Sequence, residues 1–462
     1  MSTTETHAGV ATGEPTTVDA SVEAADATEL LESPRTHLRF VVAGSVDDGK
    51  STLVGRLLFD TKSILADTFD SITDASRRRG SEQVDLALLT DGLRAEREQG
   101  ITIDVAYRYF QTPTRSYVLA DTPGHTQYTR NTVTGASTAQ AAVVLVDVRN
   151  GVSVQTRRHL AVMALLKVPA VVIAVNKMDA VGWSQERFDE VAADARRVAR
   201  NVGLADVEVL PVSALTGQNV VDSDEADDPA GAWYTGPALL DVLEAVDATP
   251  RTAAAPFRMP VQLVIRPRTP EHPDYRGLAG RIATGTLSVG DVVVALPSGV
   301  TSTVTGIDSP GGPVEQATAG ESVTVLLADE FDIGRGEVLA HPASAPQVVS
   351  EIDGVVCWLA ERPSSPNQRV LIKAGTKVAR GMLTTTGLRW DVDEQTWTET
   401  TEQAQLNDIV RVGIRLAESV AVDDYVDDPR TGGFLVIDPS SGATLAAGMT
   451  GNPLLRSFDP RI

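Results

Sequence analysis

The residues from 44 to 52, GSVDDGKST, have the types and spacing of a loop that binds phosphate. They fit the pattern G-x-x-x-x-G-K-[ST] and lie between a stretch typical of a strand and a stretch typical of a helix. In such a loop the backbone N–H groups point at an anion, Lys50 reaches the outer phosphates and Ser51 binds Mg²⁺. An ordinary glycine turn is the alternative. The residues expected to bind nucleotide here are Gly44, Ser45, Val46, Asp47, Asp48, Gly49, Lys50, Ser51 and Thr52.

Two of these residues, Asp47 and Asp48, are acidic, although the loop is expected to hold an anion. The backbone N–H groups form the anion-binding surface of such a loop, so side chains can point away from it. We therefore expect both carboxylates to face solvent or neighbouring loops.

Two further segments have residues suited to binding Mg²⁺ and the terminal phosphate of a nucleotide. The sequence DTPG, with Asp121, Thr122, Pro123 and Gly124, follows a predicted strand. Asp121 suits a direct or water-mediated contact with Mg²⁺, and the N–H of Gly124 suits a γ-phosphate oxygen. In GITID the hydroxyl of Thr102 can complete the magnesium shell. Taken singly, these segments are a common turn and an edge strand.

The sequence VNKMD is more selective, because it can distinguish guanine from adenine. Asn176, Lys177, Met178 and Asp179 follow a predicted buried strand. The carboxylate of Asp179 can accept the ring N–H and the amine of guanine, whereas adenine leaves that charge unpaired. A turn with an N-cap aspartate is the alternative. Further on, Ser213, Ala214 and Leu215 can place a backbone amide near the guanine carbonyl. Together, and in their order along the chain, the five motifs predict binding of GTP with Mg²⁺.

The composition indicates a water-soluble protein of several domains. The chain has 462 residues, 62 acidic against 40 basic, and a net charge of −22. This charge opposes broad binding to nucleic acid or to acidic membranes. The sequence begins without the features of a secretion signal and has no apolar run of about 20 residues, so we expect a cytoplasmic protein. The single cysteine, Cys357, lies in an apolar stretch and is expected to be a buried thiol.

The hydrophobic pattern changes along the chain and predicts the elements that position these motifs. Short β-rich runs alternate with helix-like segments up to about residue 250, which is typical of a mostly parallel sheet covered by helices. Glycine-separated strands follow. We therefore predict an α/β P-loop GTPase domain followed by two all-β barrel domains. The expected ranges are a disordered acidic tail over 1–36, a GTP-binding domain over 37–250, and barrels over 256–345 and 346–462.

With these motifs the sequence resembles the translational GTPases of the elongation factor Tu class, from about residue 37 to the end. The resemblance includes the GTP-binding domain, the stretch IGRGEVL and the second barrel. In that class a histidine follows the DxPG turn and orients the attacking water. His125 occupies that place and is the candidate catalytic residue, with a purely structural role as the alternative.

Several longer stretches are more similar to one family within this class, the large GTPase subunits of heterodimeric ATP sulfurylases. They include GSVDDGKST, DTPGHTQYTRNTVTGAS and DYRGLAGRIATGTLSVGD. The resemblance implies that GTP hydrolysis drives the formation of adenylylsulfate and pyrophosphate from ATP and sulfate. It also implies a heterodimer with a small PP-loop sulfate adenylyltransferase subunit that carries adenylyl transfer. An elongation factor that delivers aminoacyl-tRNA and a regulatory GTP switch are the alternatives.

Overall fold

The computed structural model describes residues 36–64, 72, 86–89, 105–124, 129–222, 231–247, 254–267, 269–270 and 274–454. The predicted acidic tail, apart from its last residue, lies outside these ranges, as do Thr102 and His125. Within the described part, no helix combines the length and the apolar character that crossing a bilayer requires.

The first part of the chain forms a six-stranded sheet in the order β2-β3-β1-β4-β5-β6. Strand β1 pairs with β4, β4 with β5 and β5 with β6 in parallel, whereas β2 and β3 form an antiparallel edge. The strands are β1 (Thr36–Gly44), β2 (Ala106–Gln111), β3 (Arg115–Asp121), β4 (Ala141–Asp147), β5 (Ala170–Asn176) and β6 (Val207–Pro211). The described helices of this part are α1 (Lys50–Asp60), α2 (Thr129–Ala136), α3 (Val154–Leu165), α4 (Gln185–Asn201) and α5 (Leu239–Ala245).

Helices cover both faces of this sheet, as its apolar strands predict. Along β1, Val41 and Ala43 pack with residues of α3 and α4, whereas Phe40 and Val42 pack with residues of α1 and α5. The parallel strands end at one edge of the sheet, and the predicted nucleotide motifs directly follow β1, β3, β5 and β6. The sheet therefore brings these motifs to one edge, where open α/β sheets bind their ligands.

The next part is a closed barrel of six antiparallel strands in the order β10-β15-β7-β8-β14-β11, closed by pairing of β10 with β11. Strand β12 pairs with β11 in antiparallel fashion, and β9 pairs with β13. The strands are β7 (Arg258–Ile265), β8 (Gly277–Arg281), β9 (Thr286–Ser288), β10 (Val292–Leu296), β11 (Val300–Ser309), β12 (Gly312–Val314), β13 (Gln316–Thr318), β14 (Ser322–Leu327) and β15 (Val338–Ala340).

The last part is a second closed barrel, in the order β17-β21-β22-β16-β20-β18, closed by pairing of β17 with β18. Strand β19 pairs with the end of β18 in antiparallel fashion. The elements are β16 (Gln347–Trp358), β17 (Gln368–Ala374), β18 (Lys377–Asp391), β19 (Thr396–Glu399), β20 (Ile409–Val422), α6 (Pro429–Gly432), β21 (Gly433–Ile437) and β22 (Thr444–Thr450). The predicted fold class, an α/β domain followed by two β-barrels, is confirmed.

The second barrel packs against helices α3 and α4 of the first part. The side chain of Gln395 donates to the carbonyl oxygen of Val198 at 3.0 Å. The hydroxyl of Tyr425 donates to the carbonyl oxygen of Leu166 at 3.3 Å. Cys357 belongs to the same apolar cluster as α3 and is 1% exposed, which confirms the predicted buried thiol. Burial raises the pKa of this thiol to about 12.

Candidate nucleotide site

The phosphate loop runs from β1 into α1 through a backbone conformation that favours glycine. Gly49 has φ 93° and caps the N-terminus of α1, and a Cβ atom there would lie 2.4 Å from the side-chain nitrogen of Asn176. The ammonium group of Lys50 donates to the carbonyl oxygens of Gly44 at 3.0 Å and Ser45 at 2.7 Å. Lys50 is buried at the base of the loop, while Ser51 and Thr52 are partly buried in the first turn of α1.

The two acidic residues of the loop have different environments, so the expectation that both face away from the loop is half wrong. Asp47 is exposed, with φ 64°. Asp48 is 5% exposed, and its carboxylate oxygen Oδ2 accepts the backbone N–H of Ser45 at 2.6 Å. The physical reason is that the loop turns back on itself, so a carboxylate three residues after Ser45 can satisfy its buried donor. Val46, the apolar residue of the loop, is 41% exposed.

The DTPG segment lies directly against the phosphate loop. Asp121, at the end of β3, is buried, and its charge acts on Lys50. The hydroxyl of Thr122 donates to the carbonyl oxygen of Val42 at 2.8 Å, which fixes the segment to β1. A Cβ atom on Gly124 would lie 2.9 Å from the carbonyl oxygen of Gly44 and 2.3 Å from the ammonium nitrogen of Lys50, so the backbone of the phosphate loop leaves little room for a side chain. Pro123, between Thr122 and Gly124 in the chain, is also buried. The segment therefore lies where a terminal phosphate bound by Lys50 would meet it.

Asn176 connects the predicted base-binding residues with the phosphate loop. Its side-chain nitrogen Nδ2 donates to the carbonyl oxygen of Asp48 at 2.8 Å, and its oxygen Oδ1 accepts the N–H of Ala214 at 2.9 Å. The hydroxyl of Ser213 donates to Oδ1 of Asp179 at 2.5 Å. The structure thus brings both segments together. The N–H of Ala214 is already bound to Asn176, whereas Leu215 is exposed beside it.

Lys177 extends over the phosphate loop and forms an ion pair that the sequence analysis did not identify. Its ammonium group donates to the carbonyl oxygen of Asp47 and lies 3.1 Å from the carboxylate of Asp147. Arg149 binds the same carboxylate at 2.6 Å. Burial raises the pKa of Asp147, but the hydrogen bonds from Arg149 and Lys177 outweigh it and lower the value to about 2. The position of Asp147 at the carboxyl end of β4, beside β5, is the signal that could have indicated it.

Arg56 and the buried side chain of Met178 also hold the base-binding segments in place. Arg56 of α1 donates through Nε to the carbonyl oxygen of Ala214 at 3.3 Å and through Nη2 to that of Leu215 at 2.5 Å. Met178 is fully buried in the apolar cluster with α3 and α4. No motif includes Arg56, because its contact joins residues that are 158 positions apart in the chain.

Charge in the site is concentrated around Lys50. Burial lowers the pKa of Lys50, and the nearby carboxylates of Asp48, Asp121 and Asp47 act in the opposite direction. Burial raises the pKa of Asp48, partly offset by its hydrogen bond from Ser45 and by the charge of Lys50. Lys50 is thus a buried cation near several carboxylates of the site. Thr102 and His125 lie outside the described residues, so their predicted roles stay predictions.

The fold and this site define a GTP-binding protein of the elongation factor Tu kind. Residues 35–251 match the family model "Elongation factor Tu GTP binding domain", and residues 351–450 match "GTP-eEF1A C-terminal domain-like". These matches confirm the predicted GTP-binding domain.

Comparison with curated proteins narrows the class. The chain is 46% identical over 415 residues to the "Bifunctional enzyme CysN/CysC" of Mycobacterium tuberculosis, covering 90% of this chain and 67% of that protein. It is 45% identical over 422 residues to the "Sulfate adenylyltransferase subunit 1" of Bacteroides thetaiotaomicron, covering 89% and 85%. The protein of the same name from Vibrio vulnificus is 46% identical over 420 residues, covering 90% and 86%. The chain belongs to the sulfate adenylyltransferase subunit 1 family.

Proposed function

We propose that this chain is the GTP-hydrolysing subunit of a sulfate adenylyltransferase, in which GTP hydrolysis drives the formation of adenylylsulfate and pyrophosphate from ATP and sulfate. The family to which it belongs supports the proposal. Adenylylsulfate contains a high-energy phosphosulfate anhydride, so its formation from ATP lies far toward reactants. A coupled GTPase can supply the missing free energy for sulfate assimilation.

The observation that carries the GTP-binding part is the position of Asn176 between the phosphate loop and Ala214. One side chain fixes the distance between a phosphate cradle and the segment expected to face a base. Asp179, oriented by the hydroxyl of Ser213, then accepts the ring N–H and the amine of guanine. The backbone N–H of Leu215, beside the bound amide of Ala214, is the donor that we assign to the guanine carbonyl.

The residues of the site fit Mg²⁺, which prefers oxygen ligands and keeps several waters. Ser51 supplies a hydroxyl at the start of α1, and Asp121 supplies a buried carboxylate whose charge acts on Lys50. We assign Ser51, Asp121 and Thr102 as ligands of Mg²⁺. Bound Mg²⁺ would neutralise charge on the β- and γ-phosphates.

His125 is the residue that we propose to orient the attacking water, because it directly follows the DTPG segment. Gly124 lies against Lys50, so the described part of the DTPG segment ends where a terminal phosphate bound by Lys50 would lie. We also propose that the GTP-binding domain covers residues 37–250 and the barrels cover 256–345 and 346–462. The location that we propose for this metabolic activity is the cytoplasm.

Adenylyl transfer itself is assigned to a partner, which we propose to be a small subunit of the PP-loop class. The name of the family already includes a subunit number, which implies a second subunit. The sequence of this chain has one G-x-x-x-x-G-K-[ST] pattern, and the GTP site uses it. The phosphate loop and DTPG segment would then pass the state of the nucleotide to the barrels and the partner.

The coupled function is tested by measuring adenylylsulfate at long reaction times with pyrophosphate present. The purified chain alone should hydrolyse GTP slowly and form no adenylylsulfate. With the small subunit added, GTP should raise the final level of product above the level reached with a non-hydrolysable GTP analogue, because binding energy alone cannot drive repeated turnovers. Equal final levels under both conditions would show that the chain is a GTP-binding activator and not an energy-coupling subunit.

A further inference from the structure

The carboxylate of Asp48 forms part of the internal frame of the phosphate loop. Its Oδ2 accepts the N–H of Ser45 at 2.6 Å, and the N–H of Asp48 donates back to the carbonyl oxygen of Ser45 at 3.4 Å. The same carbonyl oxygen accepts the ammonium group of Lys50 at 2.7 Å. Ser45 is therefore fixed on both sides of its backbone, by Asp48 and by Lys50. By holding Ser45 in one position, Asp48 reduces the ordering that a nucleotide must impose on the loop.

The same carboxylate has an electrostatic cost for a site that binds phosphate. Asp48 is buried, and its charge acts directly on Lys50, the cation expected to bind the outer phosphates. Charges interact more strongly when they are partly removed from water, so a buried carboxylate repels a nearby phosphate more than an exposed one does. Asp47 provides the contrast: it carries the same charge one residue earlier, but its side chain is exposed.

We propose that Asp48 is a positioning residue that also sets the nucleotide affinity of the loop: its hydrogen bond to Ser45 holds the loop in its binding shape, and its buried charge weakens phosphate binding and speeds nucleotide release. The proposal rests on the GTP binding of the proposed function. Repulsion between the buried carboxylate of Asp48 and the phosphates of a bound nucleotide is the physical cause of the faster release.

The two roles of Asp48 can be separated by substitution, because asparagine keeps one and loses the other. In Asp48→Asn the side-chain oxygen can still accept the N–H of Ser45, but the charge is removed. In Asp48→Ala both are removed. Asp47→Asn is the matched control, since it removes one charge from an exposed side chain and asparagine tolerates the φ of 64° at this position.

The experiment measures the release rates and dissociation constants of GMP, GDP and GTP for the full chain and its three variants. We expect Asp48→Asn to slow GDP release by about threefold or more, with a larger effect on affinity for GTP than for GDP and little effect for GMP. This dependence on phosphate number distinguishes a charge effect from a general structural effect. Asp48→Ala should bind GDP less tightly than Asp48→Asn. Asp47→Asn should slow release less than Asp48→Asn does, because the charge that it removes is exposed to solvent.

Different results would overturn different claims. Equal effects of Asp48→Asn and Asp47→Asn, or weaker GDP binding in Asp48→Asn, would overturn the role of the buried charge. Equal affinity for GDP in Asp48→Asn and Asp48→Ala would overturn the role of the hydrogen bond to Ser45. Failure of the unsubstituted chain to bind GDP or GTP would instead overturn the proposed function on which the proposal rests.

Discussion

The side chain of Asn176 joins two segments that lie far apart in the sequence, since it donates to the carbonyl oxygen of Asp48 at 2.8 Å and accepts the N–H of Ala214 at 2.9 Å. Asn176 is 1% exposed, so both bonds are made away from water. The phosphate loop and the base-binding segment are therefore held as one unit. Loss of this side chain should affect the binding of phosphate and base together.

Asn176→Ala should weaken GTP binding by about tenfold or more, because the carbonyl of Asp48 and the N–H of Ala214 lose their partner. The measurement is titration with GTP and GDP. Asn201→Ala is the control, since its side chain donates to Gln395 at 3.0 Å in the contact with the second barrel. That variant should lose stability and keep its affinity for GTP. Unchanged GTP affinity in Asn176→Ala would contradict the connecting role.

Asp179→Asn should weaken GTP binding and favour xanthosine triphosphate, because the amide can donate to the additional carbonyl of xanthine. Both nucleotides are titrated against the variant and the unsubstituted chain. Ser213→Ala serves as the control, because it removes the 2.5 Å hydrogen bond to Asp179 but keeps the carboxylate. It should lower GTP affinity without changing the preferred base. A variant Asp179→Asn that still prefers GTP would remove Asp179 from the base pocket.

His125→Ala and Lys50→Ala should separate hydrolysis from binding. The histidine variant should keep GTP affinity within severalfold and lose hydrolysis by about a hundredfold or more, as expected when a group that orients water is removed. The lysine variant should lose affinity itself, because Lys50 is the buried cation of the loop. Single-turnover hydrolysis and equilibrium titration provide the two readouts. Equal loss of binding in both variants would indicate a structural role for His125.

Much of the nucleotide site could be predicted from the sequence because its motifs are short and contiguous. Lys50, Asp179 and their neighbours lie where the order of strands and motifs indicated. The direction of the Asp48 side chain could not be predicted, because it depends on which buried N–H in the folded loop needs an acceptor. The pattern of the motif specifies backbone shape, and it leaves the side chains between its glycines open.

The contacts that no sequence motif indicated join elements that are distant in the chain. Asp147 binds Lys177 because β4 and β5 are neighbours in the sheet, and Arg56 reaches Ala214 across the end of the sheet. The short strands separated by glycines predicted both barrels, but they gave no register and no packing partner. The contact of Gln395 with the carbonyl oxygen of Val198 depends on how a barrel meets α4, which no local pattern encodes.

Stability should fall between pH 6.5 and pH 5 because of His159, which is fully buried on α3. Burial, with the charges of Lys50 and Arg158, lowers its pKa to about 3. Its Nε2 lies 3.1 Å from Nε2 of Gln155, which suits a neutral ring that accepts the amide N–H. In the unfolded chain this histidine binds a proton near pH 6.5, whereas in the folded chain it stays neutral. The free energy of unfolding therefore has its full value above pH 6.5 and decreases as the pH falls below it.

The expected loss from His159 is about 2 kcal/mol at pH 5, from about 1.4 kcal/mol for each pH unit below 6.5. Denaturant unfolding at several pH values measures it. His159→Gln is the comparison, because glutamine cannot titrate in this range, so the difference between the two proteins isolates the histidine. Parallel pH dependences of the two proteins would show that His159 does not contribute.

Arg258→Met should destabilise the pair of barrels by about 3 kcal/mol, because it leaves the carboxylate of Asp423, which is only 13% exposed, without its cation. Arg258 begins β7 of the first barrel and donates to both oxygens of Asp423, which follows β20 of the second, at 2.9 Å. Arg411→Met is the matched control, since Arg411 forms a 2.7 Å ion pair with Asp353 that is more exposed. That variant should lose less than about 1 kcal/mol. Denaturant unfolding gives both values. Equal losses would mean that the ion pair of Arg258 with Asp423 does not stabilise the contact between the barrels more than an exposed pair within one barrel does.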